Sequence, residues 1–167
     1  EWKQVHLVYG SELYCDSPRC FKYLSNMFPN LVQLHKVNIT DGDNLTLKTD
    51  SLSCLHSIEH FGLGRYGDKL DPNGHIKGFQ NLLNLLEKNG VIYISFPIST
   101  KTRVEFNEQR VFCYSQILDW LKLFKDEYIL ENFDYIDDDD NIHFNVDISK
   151  KIEKLRFGCG IYTIRKK

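Results

Sequence analysis

The residues with the clearest chemical potential lie in the stretch Ser51–Asp71, SLSCLHSIEHFGLGRYGDKLD. After a short apolar run it brings two imidazoles and a carboxyl group together, at His56, Glu59 and His60. Side chains of these types bind the hydroxyl or amino groups of a ligand, or accept a proton as general bases. Further polar candidates for holding a ligand follow at Arg65, Tyr66, Asp68, Asn107 and Arg110.

Glycines at Gly62, Gly64 and Gly67 interrupt this stretch. A helix cannot persist there, because each glycine loses much backbone entropy on becoming helical. The stretch therefore reads as a polar loop that follows a buried strand. In open α/β sheets, ligands bind outside the carboxyl ends of the strands. We expect this loop to face a ligand.

A metal site is the alternative reading of the same residues. His56-Ser57-Ile58-Glu59-His60 matches the zinc-peptidase pattern H-x-x-E-H. That pattern requires a helix, on which residues four apart share a face and meet one metal. A strand precedes it here, the glycines follow it, and no third ligand is identifiable. A looser site at Cys54, His56 and His60 is also disfavoured, so we predict no metal.

The remaining periodicity predicts an alternation of strands and helices. The predicted strands are Val5–Tyr9, Leu31–Ile39, Leu52–Ser57, Val91–Phe96, Tyr128–Tyr135 and Gly160–Arg165. The predicted helices are Pro18–Met27, Asp71–Lys88, Tyr114–Phe124 and a short one at Ile148–Leu155. Alternation of this kind predicts a single α/β domain over residues 1–167, with a mostly parallel sheet, helices on both faces and an antiparallel C-terminal edge pair.

Three connecting segments complete this prediction. Pro97 is expected to end the strand before it, and 99–110 to be a polar loop. The acidic run Asp137–Asp140 is expected to be a solvated hairpin or loop, and calcium binding is not expected there, because the spacing of an EF-hand is absent.

Composition excludes several classes of protein. A net charge of −2 argues against a broad surface for nucleic acid, which needs a basic face. The five cysteines are odd in number and contain no C-x-x-C pair, which indicates reduced thiols in a cytoplasmic protein. No signal peptide is expected, and no apolar run approaches the length of a membrane span. The oligomeric state stays open.

The stretch 50–98 resembles the second half of a class I S-adenosylmethionine-dependent methyltransferase, in which a strand ending in an acid–His pair precedes a helix, a glycine turn and a strand ending in proline. The chain more closely resembles a family of unknown function related to these enzymes. Its members carry SLSCLHxIEHxGLGRYGD, an RVEFNAHR-like segment and YGCG; here Arg103–Arg110 reads RVEFNEQR and Phe157–Gly160 reads FGCG. Bacterial members often occur among surface-polysaccharide biosynthesis proteins.

The resemblance implies a Rossmann-like class I methyltransferase fold and S-adenosylmethionine as cofactor. It implies transfer of a methyl group to a hydroxyl of a sugar or similar small polar acceptor. Glu59 or His60 would take the hydroxyl proton, and the polar set from Arg65 to Arg110 would hold the acceptor. The implied cofactor-binding residues are Gly10, Ser11, Glu12, Asn38, Asp41 and His56.

This sequence departs from the pattern in two places. The turn Tyr9-Gly10-Ser11-Glu12 has no second glycine, and Glu108-Gln109 stands where relatives show Ala-His. Either the fold is trimmed at its N-terminus, or the first strand here is the second strand of the usual fold. A second hypothesis is therefore a non-catalytic module of the same fold that binds a glycan or a partner protein.

Overall fold

A computed structural model describes residues 5–9, 23, 25–30, 32–36, 39–40, 47–64 and 69–167 of the chain. The strands in these ranges are β1 Val5–Tyr9, β2 Val32–Lys36, β3 Thr49–Leu55, β4 Leu86–Ser99, β5 Arg103–Val104, β6 Arg110–Cys113, β7 Tyr128–Ile136, β8 Ile142–His143 and β9 Gly158–Lys166. The helices are a 3-10 turn at Ile58–His60 and α-helices at Gly74–Asn84 and Gln116–Lys122. Tyr23 and residues 25–27 are also helical.

Seven of these strands form one mixed sheet, and β1 and β2 pair separately in parallel. β4 pairs in parallel with β3 and, further along, with β6. β9 lies between β4 and β7 and is antiparallel to both. The antiparallel pairing of the last strands was predicted, but β9 is inserted beside β4, so β7 and the short β8 form the edge.

The α-helix Gly74–Asn84 is shorter than predicted, and the strand after it is longer. The helix ends at Asn84 rather than near Lys88, and β4 begins at Leu86. Leu85 already accepts a hydrogen bond from the backbone of Thr49 at 2.8 Å. The apolar run around Leu85 fits a helix or a buried strand equally well, and pairing with β3 decides in favour of the strand.

Pro97 does not end β4, which continues to Ser99. The register explains why: β3 last pairs at Ser95, and β6 first pairs at Ile98. Among the described strands, that edge of β4 has no partner opposite Pro97, so a residue without an N–H is accommodated there. The predicted loop 99–110 in turn contains β5 and the start of β6.

The segment Ile148–Leu155 is not helical. Asp147 starts a turn by accepting hydrogen bonds from the backbone and hydroxyl of Ser149, and residues 151–155 after it form neither helix nor strand. Leu155 is buried, and its carbonyl accepts a hydrogen bond from the backbone of Thr100. Tertiary pairing with the end of β4 has overridden the local preference for a helix.

The core between the sheet and the helices combines aliphatic side chains with a cluster of aromatic rings. Tyr162 of β9 stacks between Phe96 and Phe133, at ring-centroid distances of 4.8 and 4.9 Å. Trp120 packs edge-on against Phe112 at 5.0 Å. Aromatic pairs in these arrangements add to the stabilisation from buried area. Ile94, Phe96 and Ile98 of β4 belong to this core, and the polar loop begins where the neighbouring β3 ends at Leu55.

Candidate functional site

The loop that carries His56, Glu59 and His60 begins where β3 ends, at Leu55. The backbone N–H of His56 still donates to the carbonyl of Ser95 on β4 at 2.9 Å, and His56 then takes a left-handed conformation with φ of 48°. The single 3-10 turn Ile58–His60 follows. Because this turn directs Glu59 inward, its carboxylate reaches the interior beneath the two imidazoles.

Glu59 is the most unusual polar group of the site. Its side chain is 1% exposed, and Oε1 lies 3.4 Å from His56 Nδ1 and 3.8 Å from His60 Nε2. Its other oxygen, Oε2, has no hydrogen-bond partner among the described residues. A buried acceptor without a partner costs about 1–3 kcal/mol, so the position of Glu59 requires an explanation, and a catalytic role is one that accounts for it.

The ring of His60 is held in one tautomer. Its Nδ1 lies 3.1 Å from the backbone carbonyl of Glu108. A carbonyl only accepts hydrogen bonds, so the neutral ring carries its proton on Nδ1. The other nitrogen, Nε2, faces the Glu59 carboxylate and is the one able to accept a proton. This orientation suits His60 to act as a general base.

His56 also contacts a cysteine that the sequence did not single out. His56 Nε2 lies 3.2 Å from Sγ of Cys159 on β9. The hydrogen bond with Cys159, followed by that with Glu59, raises the pKa of His56 to about 10. Burial and the charge of Glu59 raise the pKa of the neighbouring Cys54 to about 12, which keeps that thiol protonated. The FGCG segment was the available signal for Cys159.

Arg110 lies beneath the loop and is 5% exposed. Its guanidinium donates to the backbone carbonyls of Phe61 at 2.6 Å and Glu59 at 3.3 Å, with Asp71 and Pro72 at 3.5 Å. Arginine suits this task because its fork of donors can span several acceptors. The cation that the sequence suggested as a ligand contact thus binds the two ends of the loop together.

Small residues let the loop approach the following α-helix. A Cβ at Gly62, where φ is +75°, would lie 2.1 Å from the carbonyl oxygen of Asp71. A Cβ at Gly78 would lie 2.4 Å from the ring of Phe61. Glycine is therefore required for the loop to pack this closely, which accounts for part of the glycine pattern in the sequence.

The other predicted site residues divide into two groups. Asn107 is exposed, with φ of 55°, in the turn between β5 and β6, next to the Glu108 carbonyl that His60 contacts. The rest lie outside the described residues, so their roles stay predictions: Gly10, Ser11, Glu12, Asn38, Asp41, Arg65, Tyr66 and Asp68.

A cleft of about 650 Å³ opens at the end of β4. Hydroxyl groups and charges line it, including Ser99, Thr102, Arg103 and Glu105. Its volume lies within the range of small-molecule sites, about 300–1,000 Å³. Arg103 is fixed in it by an ion pair with Glu105 at 2.8 Å. The cleft and the His–Glu loop thus lie at the same end of the sheet.

Two negative findings apply to the described part of the chain. No cluster of three or more His, Cys, Asp or Glu side chains there is arranged to hold a metal ion. No helix there has the length and apolar character that crossing a bilayer requires. The H-x-x-E-H residues span a strand end and one 3-10 turn, which is not the α-helix that the zinc pattern needs.

Comparison with known proteins places the chain in a family. The family described as "Caenorhabditis protein of unknown function, DUF268" matches residues 26–156. No curated protein matches the sequence.

Solved structures share the fold at low sequence identity. A S-adenosylmethionine-dependent methyltransferase from Clostridium acetobutylicum superposes with a TM-score of 0.63 at 12% identity, over 98% of this chain and 75% of that one. The cyclase SpnF gives 0.61 at 12% identity, over 98% of this chain and 66% of its own length. An O-methyltransferase of Brevibacillus brevis, in complex with S-adenosyl-L-homocysteine, gives 0.59 at 10%, with coverage of 98% and 66%.

These likenesses confirm the predicted Rossmann-like methyltransferase fold. The chain spans about two thirds of the length of SpnF and of the Brevibacillus enzyme. Because one of these neighbours is a cyclase, the fold alone does not determine the reaction.

Proposed function

We propose, from the premise that this chain belongs to the DUF268 family of Caenorhabditis proteins of unknown function, that it is a S-adenosylmethionine-dependent methyltransferase acting on a hydroxyl of a sugar or polysaccharide. The observation that carries the proposal is the buried Glu59 carboxylate, whose Oε2 has no partner among the described residues. It lies at the carboxyl ends of parallel strands, where this fold class binds ligands.

The residues at this end of the sheet fit such a cofactor. A buried carboxylate oxygen without a partner suits a ligand that carries positive charge or hydroxyl and amino donors. We assign cofactor binding to His56 together with five residues outside the described ranges, Gly10, Ser11, Glu12, Asn38 and Asp41. S-Adenosylmethionine would supply a methyl group activated by its bond to a positively charged sulfur.

The chain's own groups would handle the proton and the acceptor. Glu59 or His60 takes the proton of the acceptor hydroxyl, and the hydrogen bond to Glu108 leaves Nε2 of His60 as the accepting nitrogen. Arg65, Tyr66, Asp68 and Asn107 hold the acceptor, and Arg110 fixes the loop that carries Glu59. Positioning supplies most of the rate in a displacement of this kind.

The acceptor class is supported by the polar cleft at the end of β4. Its volume of about 650 Å³ and its lining of hydroxyls and charges suit a sugar-sized ligand rich in hydroxyl groups. We therefore propose a glycan acceptor.

The test is titration calorimetry of the chain with S-adenosylmethionine and with S-adenosylhomocysteine. Binding should give heat and raise the melting temperature, since a ligand at 100 times its Kd adds about 2.7 kcal/mol of stability. The variant Glu12→Gln should weaken binding. Glu87→Gln, exposed near the opposite end of β4, should not. Absence of heat and of a thermal shift at millimolar ligand would contradict the proposal.

One observation favours a second function, a non-catalytic module that binds a glycan or a partner protein. The turn Tyr9-Gly10-Ser11-Glu12 offers one glycine where a cofactor needs close backbone approach. This alternative predicts glycan binding without any response to either cofactor form. The same calorimetry therefore separates the two functions.

A further inference from the structure

Glu59, His56 and Cys159 form a chain of side-chain contacts at the rim of the sheet. Oε1 of Glu59 is 3.4 Å from Nδ1 of His56, and Nε2 of His56 is 3.2 Å from Sγ of Cys159. This is the order of acid, imidazole and nucleophile that activates a thiol: the imidazole takes the thiol proton, and the carboxylate orients and stabilises the charged ring.

Cys159 is held in this line by its backbone. It pairs with Pro97 in the β4–β9 register, and glycines flank it on both sides. A Cβ at Gly158 would lie 2.4 Å from the carbonyl of Ile136, and one at Gly160 would lie 2.7 Å from the ring of Tyr162. The close packing around these glycines fixes the position of the thiol between them, which explains the FGCG segment.

The thiol and its base are open to reagents, whereas the acid is not. Cys159 is partly exposed, and the His56 side chain is 48% exposed. Glu59 is buried and keeps one oxygen free among the described residues. A buried negative charge stabilises the protonated ring of His56 without blocking access to Sγ.

The groups around the pair favour a protonated His56 ring beside Sγ of Cys159. From the loop, Glu59 faces His56, and His60 lies on the far side of Glu59. From β9, Tyr162 contributes no charge, because burial raises its pKa well above the ordinary value. The buried Cys54, whose pKa is also raised, is neutral. His56 is the cation that faces Cys159 within the described part of the chain.

We propose that Cys159 is a nucleophilic thiol, activated by His56 and Glu59, that undergoes exchange with small disulfides such as oxidised glutathione. The Sγ proton passes to Nε2 of His56, and the thiolate attacks one sulfur of the disulfide. The S–S bond of the reagent breaks as the new S–S bond to Cys159 forms, and the released thiolate takes a proton from the imidazolium or from water. The exchange shares His56 and Glu59 with the proposed methyl transfer, but it requires neither S-adenosylmethionine nor an acceptor.

The test follows alkylation of individual cysteines by iodoacetamide from pH 5 to 10, with labelling at each site read by peptide mass spectrometry. An ordinary thiol reacts with a midpoint near pH 8.5, and a thiolate paired with an imidazolium has a midpoint below about 7. Cys159 should show the low midpoint, and Cys113 in the same molecules should show the ordinary one. At pH 6.5 alkylation of Cys159 should be about fivefold faster in the parent protein than in the His56→Asn variant. The larger thiolate fraction speeds the reaction, and the lower basicity of that thiolate offsets part of the gain.

The matched control is Cys113→Ser, which should leave the Cys159 profile unchanged. Oxidised glutathione should then modify Cys159 ahead of Cys113 at pH 6.5, and dithiothreitol should reverse the modification. A Cys159 midpoint equal to that of Cys113 would overturn the proposal without reference to any variant. A midpoint that stays low in His56→Asn would remove His56 as the activating base.

Discussion

Oε1 of Glu59 lies 3.4 Å from Nδ1 of His56, although Glu59 is 1% exposed and the imidazole 48% exposed. The Glu59 carboxyl group is thus kept out of water, while the His56 imidazole beside it remains accessible. Burial of that kind is costly unless the acid is paired and fully hydrogen-bonded, and Oε2 has no partner among the described residues. Keeping the Glu59 carboxylate in this position therefore costs folding stability, and substitutions can measure that cost.

We predict that Glu59→Gln abolishes methyl transfer and leaves the fold intact. The free energy of unfolding should change by no more than about 1 kcal/mol, because a neutral amide avoids the cost of a buried charge and keeps the volume. Activity should fall at least about 100-fold, the lower range of a lost general base. Turnover and urea denaturation of the same preparations measure the two effects.

Glu87→Gln is the control, because it removes a carboxylate from the exposed beginning of β4. It should change neither quantity. Full activity in Glu59→Gln would exclude Glu59 from the mechanism and leave His60 as the base.

Arg110→Lys should destabilise the protein by about 2–4 kcal/mol, because a single ammonium cannot replace a buried guanidinium that bonds carbonyls at both ends of the loop. Hydrogen exchange should quicken in residues 59–64 before the rest of the sheet. Arg103→Lys makes the same substitution at a partly exposed ion pair and should lower the free energy of unfolding by about 1 kcal/mol or less. Equal losses in the two variants would mean that Arg110 does not hold the loop.

The sequence predicted the location of the candidate site better than the contacts within it. Alternation of strands and helices, together with glycines after a short apolar run, was sufficient to locate His56, Glu59 and His60 at a strand end. The role of Arg110 could not be predicted in the same way. Its partners are backbone carbonyls about 40–50 residues away in sequence. Because every residue has such a carbonyl, residue types do not indicate which ones Arg110 binds.

The contact between Cys159 and His56 could not be predicted from the sequence either. It depends on β9 being inserted beside β4, a long-range pairing that no local periodicity encodes. The missed boundary near Leu85 and the non-helical segment 148–155 have a related cause, because pairing with distant backbone overrode local preference at both. Both of these errors fell where hydrogen bonds to distant backbone decide the local structure.

Gly62→Ala should cost more than the strain of a left-handed backbone alone. The new Cβ would meet the carbonyl of Asp71 at 2.1 Å, in addition to the penalty for a φ of +75°. Asn89→Ala isolates the second term, since φ is 63° there, and should cost about 1–2 kcal/mol. We expect Gly62→Ala to exceed that loss by at least about 1 kcal/mol in urea denaturation. A loss no greater than that of Asn89→Ala would show that the loop can move away from the helix.

His75 should make the protein sensitive to mild acid. Its ring lies 5.4 Å from that of Phe112 and 5.6 Å from that of Trp120, and Nδ1 has no partner among the described residues. Burial, followed by the charge of Arg110, lowers the pKa of His75 from 6.5 to about 4. The folded state therefore holds the ring neutral at pH values where the unfolded chain has already protonated it.

This difference in protonation sets the direction in which stability changes with pH. Stability from His75 is fully present above pH 6.5 and is lost as the pH falls from 6.5 towards 4, because the unfolded state binds the extra proton. His75→Phe keeps an aromatic ring against Trp120 but cannot titrate. Between pH 7 and pH 5, the parent should lose about 1 kcal/mol more stability than the variant, after allowance for partial solvent contact.

Urea denaturation of both proteins across this range provides the measurement. Contributions from other groups, including His56 with its raised pKa, are common to both proteins and cancel in the comparison. Parallel losses of stability in the two proteins would show that His75 takes up a proton as readily in the folded state, beside Arg110, as in the unfolded chain.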